Sequence, residues 1–145
     1  MSTPDRGATR TAIAAGLRAN VPSAATVLAY QANDFSGLSP TIVVTSAASE
    51  RERATMQGSV AIFVYHLHVF VAFAADGEVG YTDSDAEDLI DQVEREIAQF
   101  VDRTQRTAEW HALAYSRASD AGTPASIGGI EYRHEVIALA VSVSS

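Results

Sequence analysis

A chain of 145 residues is long enough to bury a sizeable core as one domain, residues 1–145, without a disulfide or a structural metal. It has no cysteine, which excludes a disulfide framework and any thiolate–metal site. Its net charge is −8, from 18 acids against 10 bases, and every base is arginine; without lysine there is no Walker-type phosphate loop and no Schiff-base chemistry, and an acidic chain without a basic patch is a poor sequence-independent DNA binder.

Taken in order, residues 3–20 predict a first helix, with Thr3 as N-cap and Pro4 in its first turn. Its apolar stripe is thin, Ile13 and Leu17 widened by Ala12, Ala15 and Gly16, so it suits close packing on a neighbour. The polar N-terminal segment carries no apolar signal run, so the chain is expected to stay where it is made. Residues 25–30 predict a short strand and 31–38 a loop with Asn33, Asp34 and Gly37 as turn residues. Pro40 opens a strand over 41–47. Residues 49–58, SERERATMQG, predict a long hairpin loop or projecting arm, whose Glu50, Arg51, Glu52 and Arg53 form either a solvated turn or a docking surface reaching a neighbouring subunit.

Residues 59–75, SVAIFVYHLHVFVAFAA, form the longest apolar run and predict a central strand. One face would carry Phe63, Tyr65, Leu67, Val69, Val71 and Phe73, all core. The other would carry Ile62, Val64, His66, His68, Phe70 and Ala72, apolar at both ends with histidines between. A strand apolar on both faces wants cover on both. A helix can supply one side; more chain or another subunit must supply the second. A membrane span is the poorer reading, because the run is short and both histidines sit in its middle.

Residues 83–103 predict a long amphipathic helix, with Ser84 and Glu87 as a capping box and early acids that suit the helix dipole. Ala86, Leu89, Ile90, Val93, Ile97, Phe100 and Val101 keep helical spacing; Asp91, Glu94, Glu96 and Asp102 form an acidic, solvated opposite face. The segment holds eight acids and two arginines, a net −6. Residues 110–116 predict a strand, 119–126 a loop, and 130–143 a last strand after Gly128-Gly129. Glu131, Arg133 and Glu135 sit on that strand's otherwise apolar face, so its first half is expected to lie outside the core or to bulge at the glycines. The fold class expected is α+β: a mostly antiparallel sheet with a long central strand, one long amphipathic helix packed across it and an N-terminal helix.

No constellation makes a convincing enzyme. His66 and His68 project to one side of a strand, a spacing zinc sites use, and His111 or His134 would be the third ligand; histidines on a half-covered face or a subunit interface are the plainer reading. Residues 76–87 have the length of a calcium loop without its pattern, and no G-x-S-x-G elbow occurs. No catalytic residue, metal ligand or cofactor is therefore assigned, and the interface candidates are Glu50, Arg51, Glu52, Arg53, His66 and His68.

The order of LRANVP, SPTIVV, YHLHVFVAF, DAEDLIDQVEREIAQF, WHALAY and GGIEYRHEVIALAVSV resembles the tail terminator (tail completion) proteins of long-tailed bacteriophages across nearly the whole chain. The resemblance implies a structural virion protein of the tail, with no enzymatic activity. Such proteins form a hexameric ring on the last ring of tail-tube protein, stop tube growth and offer a surface to the head-side connector. DNA passes through without specific binding, and no membrane is involved. A neck or head–tail connector of the same ring-forming class is the alternative, followed by a small α+β binding domain or enzyme with a histidine-lined pocket.

Overall fold

The computed structural model describes residues 3–36, 38–52, 58–72 and 83–144, the side chains of 83 and 84 apart. The order is α1 (Arg6–Asn20), β1 (Thr26–Leu28), β2 (Thr41–Glu52), β3 (Val60–Ala72), α2 (Asp83–Arg103), β4 (Ala112–Ile127) and β5 (Ile130–Ser144). The strands make one mixed sheet in the order β1-β2-β3-β5-β4. β1 runs parallel to β2, and the other pairings are antiparallel. The protein is therefore α+β, with two helices among the described residues, one of them N-terminal.

Both helices lie on the same side of the sheet, α1 against β1 and β2, α2 against β3, β5 and β4. Between them and the sheet sits the main core. β3 contributes Phe63, Tyr65, Leu67 and Val69, β5 contributes Ile137, Leu139 and Val141, and the helices contribute Ile13, Leu17, Val93, Ile97 and Phe100. Period-two alternation on β3 explains this: Ala61 through Val71, taken at odd positions, are all buried.

The first helix starts later than its sequence suggests. Asp5, not Thr3, is the N-cap, its Oδ1 accepting from the Ala8 backbone N–H at 3.0 Å. A carboxylate at this position satisfies a free donor of the first turn and complements the dipole. The expected arm at 49–58 is also corrected: β2 continues through Glu52, with Ser49–Glu52 paired to Val60–Phe63. A bulge at Ala47 interrupts that ladder and lets the charged residues continue the strand in a shifted register. Arg53, the tip of the arm and the Asp76–Tyr81 stretch lie outside the described residues, as does the Ser84 side chain of the expected capping box.

The expected loop at 119–126 is strand. β4 runs to Ile127 because Thr123–Ile127 pairs with Ile130–His134 around a two-residue turn at Gly128 and Gly129, whose φ values are 58° and 80°. Two successive positive φ values make the tight turn whose twist matches a hairpin, and glycine accepts them without strain. The irregularities fall on β4, at Ser116 and between Ser119 and Thr123; β5 itself pairs with β3 without a break. Its first half therefore does not leave the core, and Glu135 is buried at 4 % exposure.

The acidic face of α2 is corrected at one residue. Glu96 is 7 % exposed and accepts from Ser23 at both its backbone N–H (3.0 Å) and its hydroxyl (2.5 Å), and from Gln92 at 2.7 Å. Burial opposes its charge, but these bonds outweigh burial and hold the carboxyl below its ordinary value. Glu96→Gln is expected to lower stability by about 1 kcal/mol, read as a shifted urea midpoint at neutral pH, because the charge-assisted bonds that tie α2 to the end of α1 are weakened.

Candidate assembly surface and histidine cluster

The helix-free face of the sheet divides into three zones along β3. At one end the loop residues 32–35 fold over it. Phe35 is buried there, 5.0 Å from the Phe70 ring and 5.6 Å from Tyr132, with Val43 beneath. Asp34 holds the turn by accepting from the Ser36 N–H at 2.8 Å, and it lies so close to Gly128 that a Cβ there would stand 2.8 Å from its carboxyl.

The middle zone is a hydrogen-bonded histidine pair. Cross-strand register places Thr45 of β2 opposite His66, and Phe70 opposite His134 of β5. His68 Nδ1 and His134 Nε2 are 3.0 Å apart, with rings 6° from parallel. On the other side His68 Nε2 is 3.3 Å from Thr45 Oγ1, whose hydroxyl lies 3.4 Å from the His66 carbonyl. One arrangement satisfies the whole chain: His134 Nε2–H donates to His68 Nδ1, His68 Nε2–H donates to Thr45, and Thr45 donates to the carbonyl. It requires His68 to be neutral, because its Nδ1 accepts while its Nε2–H donates. Burial pushes His68 down to about 4, helped by His134 and His66, and it lowers His134 as well, against a raising influence from Asp120.

His66 lies edge-on to His68 with centroids 6.2 Å apart. His111 is exposed at the start of β4, its N–H bonded to Ser142 O at the other end of the sheet. The four histidines therefore do not converge, and the described residues hold no group of three or more His, Cys, Asp or Glu side chains able to bind a metal. Within the described residues, no helix is long and apolar enough to cross a membrane.

The third zone has no cover among the described residues. Ile62 is 41 % exposed, Val60 and Val64 are half-buried, and beside them lie Ala140 of β5 and the exposed Ala112 and Ala114 of β4. Glu50 and Glu52 pair with Ile62 and Val60, so they stand on the rim of this surface. Arg51 alternates to the helix side, its guanidinium 5.2 Å from the Phe63 ring centroid. Of the six interface candidates, Glu50 and Glu52 thus border the open apolar zone, His66 and His68 lie along its inner margin, Arg51 faces the other way, and Arg53 is outside the described residues.

Two features escape a sequence reading. Glu135 lies under α2 with Oε1 unpartnered, and burial, reinforced by Glu94 and Asp91, raises it to about 7. Next to it Tyr115 donates to Glu94 Oε2 at 2.7 Å. The second is a gathering of arginines from α1 and β2, residues 41 positions apart in sequence between Arg10 and Arg51, which no local pattern brings together. No family model and no curated protein matches the chain.

Proposed function

We propose that this is a structural virion protein, a phage tail terminator that assembles as a hexameric ring on the end of the tail tube, stops its growth and presents the surface that joins the head-side connector. The observation that carries the reading is an apolar end of the sheet with no cover among the described residues, Ile62 with Val60, Val64, Ala112, Ala114 and Ala140. Its small side chains make a surface suited to close approach by another protein, and contiguous apolar surface of this kind marks interaction sites. The long central strand, with the amphipathic helix laid across its other face and the N-terminal helix beside it, supplies the rigid frame. The net charge of −8 suits a ring through which DNA must pass without being held. A neck connector of the same ring-forming class draws on the same surface and differs in what it touches.

The test is electron microscopy of the protein with and without tail tubes of its virus, paired with light scattering over a concentration series. Rings capping tube ends, and a sixfold mass or a shift toward it, are expected for the native chain. Ile62→Asp with Val64→Asp is expected to abolish capping and lower self-association at least tenfold, equivalent to about 1.4 kcal/mol, while the melting profile stays native. Uncapped tubes together with a chain that remains monomeric would refute the reading.

A further inference from the structure

We infer that the arginine-lined depression at the start of α1 is a docking site for the acidic first half of α2 of a second copy, so that copies join head to tail. The inference rests on the assembly reading above and names a charged contact within it. Arg6, Arg10 and Arg51 line one depression of about 640 Å³, together with Ser49 and the backbone of the first turn of α1. In a chain of net charge −8, three of the ten bases share this spot.

Among the described residues, none of the three bonds to a carboxylate. Arg10 Nη1 donates to Ser46 Oγ at 2.9 Å, and its Nε is buried with no partner. Arg51 Nη1 donates to the Pro4 carbonyl at 2.7 Å, and Tyr65 donates to the carbonyl, not the side chain, of Arg6. Asp5 also lines the depression, but its carboxylate is engaged in capping α1. The start of the helix adds its own positive potential. Among the described residues, the site thus gathers three guanidinium groups with no carboxylate bonded to them.

The complementary surface is on the other half of the molecule. Glu87, Asp88 and Asp91 are exposed on α2. The nearest bases on the same helix are turned to amides: Arg95 donates to Gln92 and Arg103 to Gln99. Among the described residues, no arginine of the chain bonds to these three acids. α1 covers β1 and β2, whereas α2 covers β3, β5 and β4. The arginine site sits at the Tyr65 level of β3, and the start of α2 packs on Val71, about 20 Å further along the strand at strand rise. The two surfaces are distinct patches of opposite sign, which is the requirement for a heterologous contact that repeats from copy to copy. Charge contacts of this kind steer association and set register, and they weaken with salt.

The experiment is light scattering of the full chain over a concentration series in low and high salt, with two charge-reversed variants. Arg6→Glu with Arg51→Glu reverses the depression and leaves the half-buried Arg10 in place; Asp88→Arg with Asp91→Arg reverses the helix. Each variant alone is expected to self-associate at least tenfold more weakly than the native chain, with an unchanged far-UV spectrum and melting curve. An equimolar mixture of the two is expected to regain association, because the reversed depression of one then faces the reversed helix of the other. Native-like association of either variant, or a mixture that stays monomeric, overturns the inference. If those variants associate normally while Ile62→Asp with Val64→Asp does not, the charged contact is wrong and the assembly reading stands. Binding of inorganic phosphate by the native chain that is lost in Arg6→Glu with Arg51→Glu, with no effect of mixing the two variants, assigns the depression to a small anion and overturns the second copy as its occupant.

Discussion

Phe100→Ala is expected to lower the stability of the fold by about 3–5 kcal/mol, the range for emptying a buried aromatic site. Phe100 is 1 % exposed and stands where α1 and α2 meet. The contact is tight: a Cβ placed on Gly16 would lie 2.7 Å and 2.8 Å from two carbons of the Phe100 ring. Glycine costs a helix interior about 1 kcal/mol relative to alanine, so its use at position 16 reflects the ring that occupies the space. Gly16→Ala is accordingly expected to destabilise despite its better helix propensity, by about 1–3 kcal/mol as an overpacking change. Combining Gly16→Ala with Phe100→Leu is expected to cost less than the sum of the single changes, because the smaller side chain makes room for the methyl. Urea unfolding of the four chains gives the cycle, and simple additivity would show that the two residues do not share the contact. The same contact fixes the position of the arginine site on α1 relative to the acids of α2.

The pH dependence of stability is expected to be small in the native chain between about pH 4.5 and 7 and large in variants, because two opposed effects fall in one window. His68 is held at about 4, below its ordinary 6.5. The unfolded chain therefore takes up a proton below 6.5 that the folded chain refuses, and stability is lost as pH falls from 6.5 toward 4. His134, also lowered, acts in the same direction. Glu135 acts in reverse. It is raised to about 7 from 4.5, so the folded chain keeps a proton that the unfolded chain has released, and stability is lost as pH rises from 4.5 to 7.

Glu135→Gln removes that second effect. It is expected to raise stability at pH 8 by about 1–2 kcal/mol, the shift discounted for solvent screening, and to uncover a steep loss on acidification. His68→Gln is expected to do the opposite, leaving a chain that becomes more stable as pH falls from 7 to 4.5. Urea midpoints at half-unit pH intervals are the measurement. Parallel profiles for the three chains would show that neither group titrates as its surroundings require.

Much of the α+β architecture is legible from local chemistry. The alternation of residues 60–72 sets which side chains of β3 face together, and the helical spacing of apolar residues from Ala86 to Val101 marks the buried side of α2. These are short-range periodicities, and any packing partner must respect them. The apolar character of both faces of β3 also foretells that one helical layer leaves a surface to cover.

Where local chemistry misleads, a distant partner decides. SDAGTPAS looks like a loop, yet it is strand because β5 offers an edge and Gly128-Gly129 turns the chain tightly enough to reach it. SERE looks like a solvated arm, yet it pairs with Val60–Phe63. Glu96 looks like one more surface acid until Ser23, 73 residues away, satisfies it. Glu135 sits on an apolar strand face under a helix, where burial, reinforced by that helix's acids, holds its proton on. Which residues share a face and where charge accumulates can be read from the chain alone, because both depend on neighbours a few positions away. The coverage of each face, the pairing of His68 with His134 in place of a three-histidine site, and the meeting of Arg6, Arg10 and Arg51 came from the three-dimensional arrangement, because each depends on strand order and helix placement that no local pattern encodes.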